Sequence, residues 1–246
     1  MPFTFSHPAI ILPLLKKKYT HLFSATGLVV GSIAPDFEAF IRFGKVKAFS
    51  HNWLGVFWFD LPLALLITFM FHLFVRRSLI ENMPIAWRER FEFARNFDWV
   101  KYFSKNALVV LTSILIGVFS HLLWDSFTHL NLHNPNSFKS NIWFHGFRVF
   151  ILLQYICSAI GLLAVFAFSY ELPRMKVKRV KYNKIKFWSY IILIGTIIFS
   201  YVYTEANEKD SIDKLFIVNV AMGAGLSAVL FVSIVERLSI WVRRTW

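Results

Sequence analysis

Five apolar runs set the terms on which this chain can fold. They lie at about residues 53–75, 107–124, 149–168, 187–203 and 215–235. Each approaches the roughly 20 residues a helix needs to cross a hydrocarbon layer about 30 Å thick. Inside lipid every backbone polar group must be bonded within its own segment, so runs of this length fold as helices. The chain reads as an all-α, polytopic membrane bundle of about five transmembrane helices. Hydrophobic residues make up 57% of it and its mean hydropathy is +0.53, well above a soluble domain.

The charge is equally uneven. Lys and Arg number 27 against 14 Asp and Glu, a formal net charge of +13. In a soluble protein that excess points to nucleic acid. Here it sits in loops, where it sets membrane orientation, and no nucleic-acid partner is expected. Seventeen of the 27 cations fall in the 76–106 connector, the 170–187 loop and the C-terminal tail, and ten fall elsewhere. The positive-inside rule puts the richer side in the cytoplasm, although Lys16-Lys17-Lys18 pull the other way. Residues 1–52, the 121–148 segment and the acidic loop with Glu205, Glu208, Asp210 and Asp213 then share the outer face. The basic 174–186 loop is suited to anionic lipid headgroups, so membrane lipids are the expected surroundings and partners. The one cysteine, Cys157, excludes an intrachain disulfide and any multi-thiolate zinc site. The first 18 residues do not read as a cleavable signal, because their basic cluster follows the short apolar stretch.

The second run ends in Ser120-His121-Leu122-Leu123-Trp124-Asp125-Ser126-Phe127-Thr128-His129. Residues four apart stack on one helical face, so His121, Asp125 and His129 form a row with about 6 Å between neighbouring Cβ atoms. Two imidazoles and a carboxylate suit a divalent cation such as zinc.

A second set lies on the same expected face. The short apolar stretches 10–15 and 22–33 read as surface helices, with Ser6-His7-Pro8 as a helix start and Pro35-Asp36 closing the second stretch. His7, Asp36 and His51 fall at the ends of these elements. With the row they make six candidate ligands: His7, Asp36, His51, His121, Asp125 and His129. That supply suits one or two ions, with Asp36 or Asp125 as a bridge. Taken singly, each has a plainer reading: His7 as a cap, Asp36 as a turn residue, His51 as an interfacial anchor. Glu38, near Asp36, is a candidate for orienting a ligand histidine. Trp53, Trp58, Trp124 and Trp143 read as interfacial belt aromatics. His72 reads as structural, Asp60 as near-interfacial, and His145 as a weaker ligand. Gly27 and Gly31 offer a place for another helix to approach closely.

These residues carry a resemblance. Met1-Pro2-Phe3-Thr4-Phe5-Ser6-His7-Pro8, Gly31-Ser32-Ile33-Ala34-Pro35-Asp36-Phe37-Glu38, Ser50-His51 and Ser120 to His129 together resemble a bacterial membrane family, the domain of unknown function 4184, over residues 1 to about 170. That family is distantly similar to the YdjM-type membrane-bound metal-dependent hydrolases and to the zinc-dependent phospholipase C and P1 nuclease group. The resemblance implies an all-helical metal site filled in the order His7, Asp36, His51, His121, Asp125, with His129 and His145 as later ligands. It implies a helical domain at 1–170, followed by a basic loop and two further spans at 171–246. Two features depart from that group. The chain begins Met-Pro where the zinc phospholipases use a processed N-terminal residue, and Val149 stands four after His145 where they have Glu. One or two ions are therefore expected instead of three.

The expected function is metal-dependent hydrolysis of a small-molecule or lipid phosphoester in a bacterial plasma membrane, the site facing outwards. His129 is a ligand or the general acid for the leaving group. The competing expectation is a non-catalytic membrane protein with a structural metal or a headgroup site. A metal transporter ranks last, since only Asp60 and His72 interrupt the first run.

Overall fold

The structure, a computed structural model, describes residues 3–44, 49–128, 143–144, 147–177, 183–207 and 214–245. Among them five helices are long and apolar enough to cross a membrane: Trp53–Asn82, Trp99–Thr128, Ile151–Glu171, Lys184–Ala206 and Leu215–Ser239. Apart from short loops and a two-residue antiparallel pairing, Trp143–Phe144 with Phe147–Arg148, the described chain is helical. The polytopic all-α bundle read from hydropathy is the fold.

The ends of the helices differ from the sequence reading, each for a local reason. The first span continues past the Arg76-Arg77 pair to Asn82, because the charges there find partners on their own helix: Arg77 Nε bonds Glu81 at 3.0 Å and Asn82 Nδ2 donates to the Ser78 carbonyl at 3.0 Å. Widened π-helical turns interrupt it at Val56–Asp60 and Phe71–Val75. Beyond the first span, the 76–106 connector is helical in two pieces. Ile85–Arg95 stands alone, and Trp99 to Lys105 belongs to the second span. Asp98 starts that span by accepting from the Lys101 amide at 3.0 Å. A non-helical Asn106 marks the point where the apolar run had appeared to begin.

The chain packs as two compact units. The first comprises Met1–Asp36, Phe49–Leu65 and Phe103–Glu171. Its N-terminal Thr4–Leu15 segment is a 3-10 helix with Pro8 and Pro13 inside. Proline has no amide proton, so an i→i−4 ladder cannot run through it. His7 therefore lies within a helix and not at its start. The segment lies against the third span at Gly161, where a Cβ would come within 2.7 Å of Ser6 Cβ, and Phe3 N donates to Ser158 Oγ at 2.8 Å. The Ala25–Gly31 helix is capped by Ser24, whose Oγ accepts from Gly27 N at 3.3 Å. It presses on the second span backbone to backbone. A Cβ on Gly31 would strike the Ile114 carbonyl, and one on Gly117 would lie 2.5 Å from the Leu28 carbonyl. The glycine spacing thus serves a contact within the chain.

The second unit comprises Phe37–Ala48, Leu66–Tyr102 and Leu172–Trp246. Its fourth and fifth spans pack through Phe187, Ile191, Ala228 and Val232. Polar bonds tie its connections: Trp188 Nε1 donates to the Asn82 carbonyl at 3.0 Å, and Asn219 Nδ2 to the Gly44 carbonyl at 2.9 Å.

Candidate metal centre

The close packing of the glycine-bearing helix on the second span fixes the first donor. Ser32, one residue past Gly31, points its carbonyl at His121 Nδ1, 2.8 Å away. A carbonyl only accepts, so His121 carries a proton on Nδ1 and turns Nε2 inward, with a free lone pair whenever the ring is neutral. One helical turn on, Asp125 Oδ2 lies 3.4 Å from that Nε2. The i, i+4 row read from the sequence is real for these two residues. His129 lies outside the described residues, as do His133 and His145.

Asp36 comes from the first turn of the Ala34–Ile41 helix. The sequence reading had placed it at the end of a helix. Instead Pro35 sits at the start of a new one, where its missing amide proton is no loss. Thr4 Oγ1 donates to Asp36 Oδ2 at 2.6 Å, which leaves Oδ1 facing the histidines. The Oδ1 atom lies 3.7 Å from His121 Nε2 and 3.7 Å from His51 Nε2.

His51 closes the group from the loop before the first span. Its backbone is left-handed, with φ of 64°, a conformation histidine adopts more readily than most residues but at some cost. Its Nδ1 contacts Ser50 Oγ at 3.0 Å, while Nε2 lies 3.4 Å from His121 Nε2 and 3.3 Å from Asp125 Oδ2. Next to it Asn52 caps the span, its side chain accepting from Gly55 N at 2.7 Å.

Four donor atoms, one each from Asp36, His51, His121 and Asp125, therefore lie within 4.8 Å of one another. Five of the six separations fall between 3.3 and 3.7 Å. For metal–ligand bonds of about 2.0–2.2 Å, tetrahedral geometry puts donors about 3.3–3.6 Å apart. The spacing suits a divalent ion, and the donor set of two imidazoles and two carboxylates suits zinc and its neighbours. Asp36 and His121 are fully buried, and the His51 side chain, 22% exposed, is the most open of the four.

His7 is the fifth predicted ligand that the fold brings to this place. Its Nδ1 lies 3.1 Å from the Thr4 carbonyl and its Nε2 lies 3.1 Å from the other oxygen of Asp125, Oδ1. With Nδ1 bonded to the Thr4 carbonyl, Nε2 is the ring atom that faces Asp125. Its ring stacks on His121, with centroids 4.0 Å apart. Asp125 thus touches a histidine with each oxygen. Glu38 is buried in the second unit, with Arg42 Nε at 3.0 Å from its carboxylate.

Residues the sequence did not single out complete the arrangement. Thr4 and the Ser32 carbonyl orient Asp36 and His121, the outer layer that metal sites require. Gln154 Nε2 donates to the Thr128 carbonyl at 2.8 Å and secures the end of the helix that carries His121 and Asp125.

No curated protein and no solved structure matches the chain. A family model matches residues 1–236, and so reaches into all five spans. The chain belongs to the family described as domain of unknown function (DUF4184).

Proposed function

We propose that the chain is a membrane-bound, metal-dependent hydrolase of a phosphoester, carried by a lipid or by a small molecule. The observation that supports this is the convergence of Asp36, His51, His121 and Asp125 from three separate stretches of chain within 4.8 Å. A divalent ion, zinc or a close neighbour, supplies a Lewis acid there and activates water near neutral pH. Asp36, His51, His121 and Asp125 hold it. His7 either holds a second ion with Asp125 Oδ1 or fixes that carboxylate through an ionic hydrogen bond. His129, four residues after Asp125 in the sequence, is the general acid or a further ligand. The setting is a bacterial plasma membrane with the site on its outer face, which the distribution of Lys and Arg supports.

Burial favours a second reading. Four protein donors fill a tetrahedral zinc, and closed sites of that kind are structural. Hydrolysis needs an open coordination position, and the His51 side is where the cluster is least covered.

Metal analysis of detergent-purified protein is the first test. Wild type should carry at least one ion per chain and the His121→Ala, Asp125→Ala double variant none; equal content in the two ends both readings. Phosphodiesterase and phosphomonoesterase assays on the metal-loaded protein then separate them. Turnover abolished in the double variant supports the hydrolase, and full metal with no turnover leaves the structural ion.

A further inference from the structure

The second unit contains a polar feature unrelated to the metal cluster. Arg76, near the end of the first span, is only 7% exposed, and its hydrogen-bond partners are uncharged. Nη1 donates to His72 Nδ1 at 2.6 Å and Nη2 to the Phe97 carbonyl at 2.5 Å. Its Nε is buried with no acceptor. Among the described residues no carboxylate forms an ion pair with it. Asp98 acts on it only through space and the Arg237 guanidinium opposes it; a buried cation with no bonded counter-charge is costly, and in a membrane protein such a group marks a place of function.

Arg76 lines a cleft of about 290 Å³, together with Arg77, Arg95, Asp98 and Arg237. Two of these cations are already neutralised. Arg77 bonds Glu81 at 3.0 Å, and Arg95 bonds Glu81 at 3.2 Å and Glu92 at 2.6 Å. Arg237, which is exposed, donates to the Leu73 carbonyl, again an uncharged acceptor. Asp98 accepts from the Lys101 amide at 3.0 Å and caps the second span. Among the described residues the cleft therefore holds two guanidinium groups with no bonded carboxylate, and one carboxylate, Asp98, whose charge offsets part of that of Arg76. One wall is rigid: His72, carried on a widened π-helical turn, stacks on Trp99 with centroids 4.3 Å apart and planes at 4°. Wide turns of this kind recur at functional sites.

The geometry points to an anion site in which Arg76 and Arg237 bind a phosphate group. Guanidinium forks match phosphate oxygens, and basic clefts at the ends of spans are where lipid phosphates are taken up. The same chemistry serves a lipid headgroup or a free phosphate.

The test uses the full chain in two settings. In neutral detergent it is titrated with inorganic phosphate. In nanodiscs, native mass spectrometry compares retention of phosphatidylglycerol with that of phosphatidylcholine. Wild type should bind one of these probes, and Arg237→Gln, an exposed substitution, should weaken that binding at least tenfold with an unchanged unfolding temperature. Arg76→Gln should do the same if it folds. Saturation by inorganic phosphate in detergent assigns a free phosphate, whereas retention of phosphatidylglycerol alone assigns a lipid. Binding of neither probe by wild type, or equal binding by wild type and Arg237→Gln, overturns the proposal.

Discussion

His121 gives its Nδ1 proton to the carbonyl of Ser32 at 2.8 Å, a bond that spans 89 positions of sequence. The bond ties a candidate ligand to the backbone of a short helix that reaches the second span only because Gly31 and Gly117 have no side chains. Packing and chemistry are coupled at that point. A change to either glycine moves a donor atom.

Gly31→Ala tests the coupling. Its Cβ would strike the Ile114 carbonyl, so one backbone must retreat. Overpacking of this sort costs about 1–3 kcal/mol. The expected outcome is a lower unfolding temperature in detergent together with weaker metal binding. Unchanged metal affinity in a folded Gly31→Ala protein would separate the glycine contact from the site.

Thr4→Val removes the 2.6 Å hydrogen bond to Asp36 and keeps the size of the side chain. Outer-layer changes at metal sites lower affinity by about 10–100-fold. Zinc competition against a chromogenic chelator should show a loss in that range with the helical content intact. A threonine that merely packs would give wild-type affinity.

His51→Asn distinguishes a strained ligand from a strained loop. Asparagine also accepts a left-handed backbone, so the φ of 64° is kept while the imidazole is lost. Metal-free protein should keep the wild-type helical content, since the loop backbone is unchanged. Its metal affinity should fall. If both stability and affinity stay at the wild-type level, His51 is not a ligand.

Acidification should release the ion. Histidine binds metal only through an unprotonated nitrogen, so protons compete for the same lone pairs. Bound metal, followed by equilibrium dialysis, should be full near neutrality and decline in the acid range, below the ordinary imidazole value of about 6.5. Two histidines in the cluster make the decline steeper than a single titration. Loss on raising the pH from 6 to 8 would contradict imidazole ligation.

How much of this was legible in the sequence depends on how local each signal is. His121 and Asp125 lie on one helix, so their shared face follows from spacing alone. The spans follow from hydropathy, because burying their length leaves the backbone no other form. Asp36 was singled out as a candidate ligand but assigned to the wrong helix end, since Pro35 starts a helix as readily as it ends one. The second span's apolar part begins at 107 as read, but the helix from Trp99 to Lys105, joined to it across the non-helical Asn106, was not seen because Lys101 and Lys105 break the apolar run. Thr4 and the Ser32 carbonyl were invisible: one is an ordinary hydroxyl and the other belongs to the backbone, and each acquires its role only through long-range packing.

The seating of the N-terminal 3-10 helix on Gly161 of the third span carries a consequence for biosynthesis. Thr4, His7, Asp36 and His51 leave the ribosome early, but the surface that holds Thr4 and His7 in place is translated more than a hundred residues later. Until that span is in the membrane the early donors have no fixed geometry. Any ion held by this cluster would therefore be taken up late, after insertion of the third span.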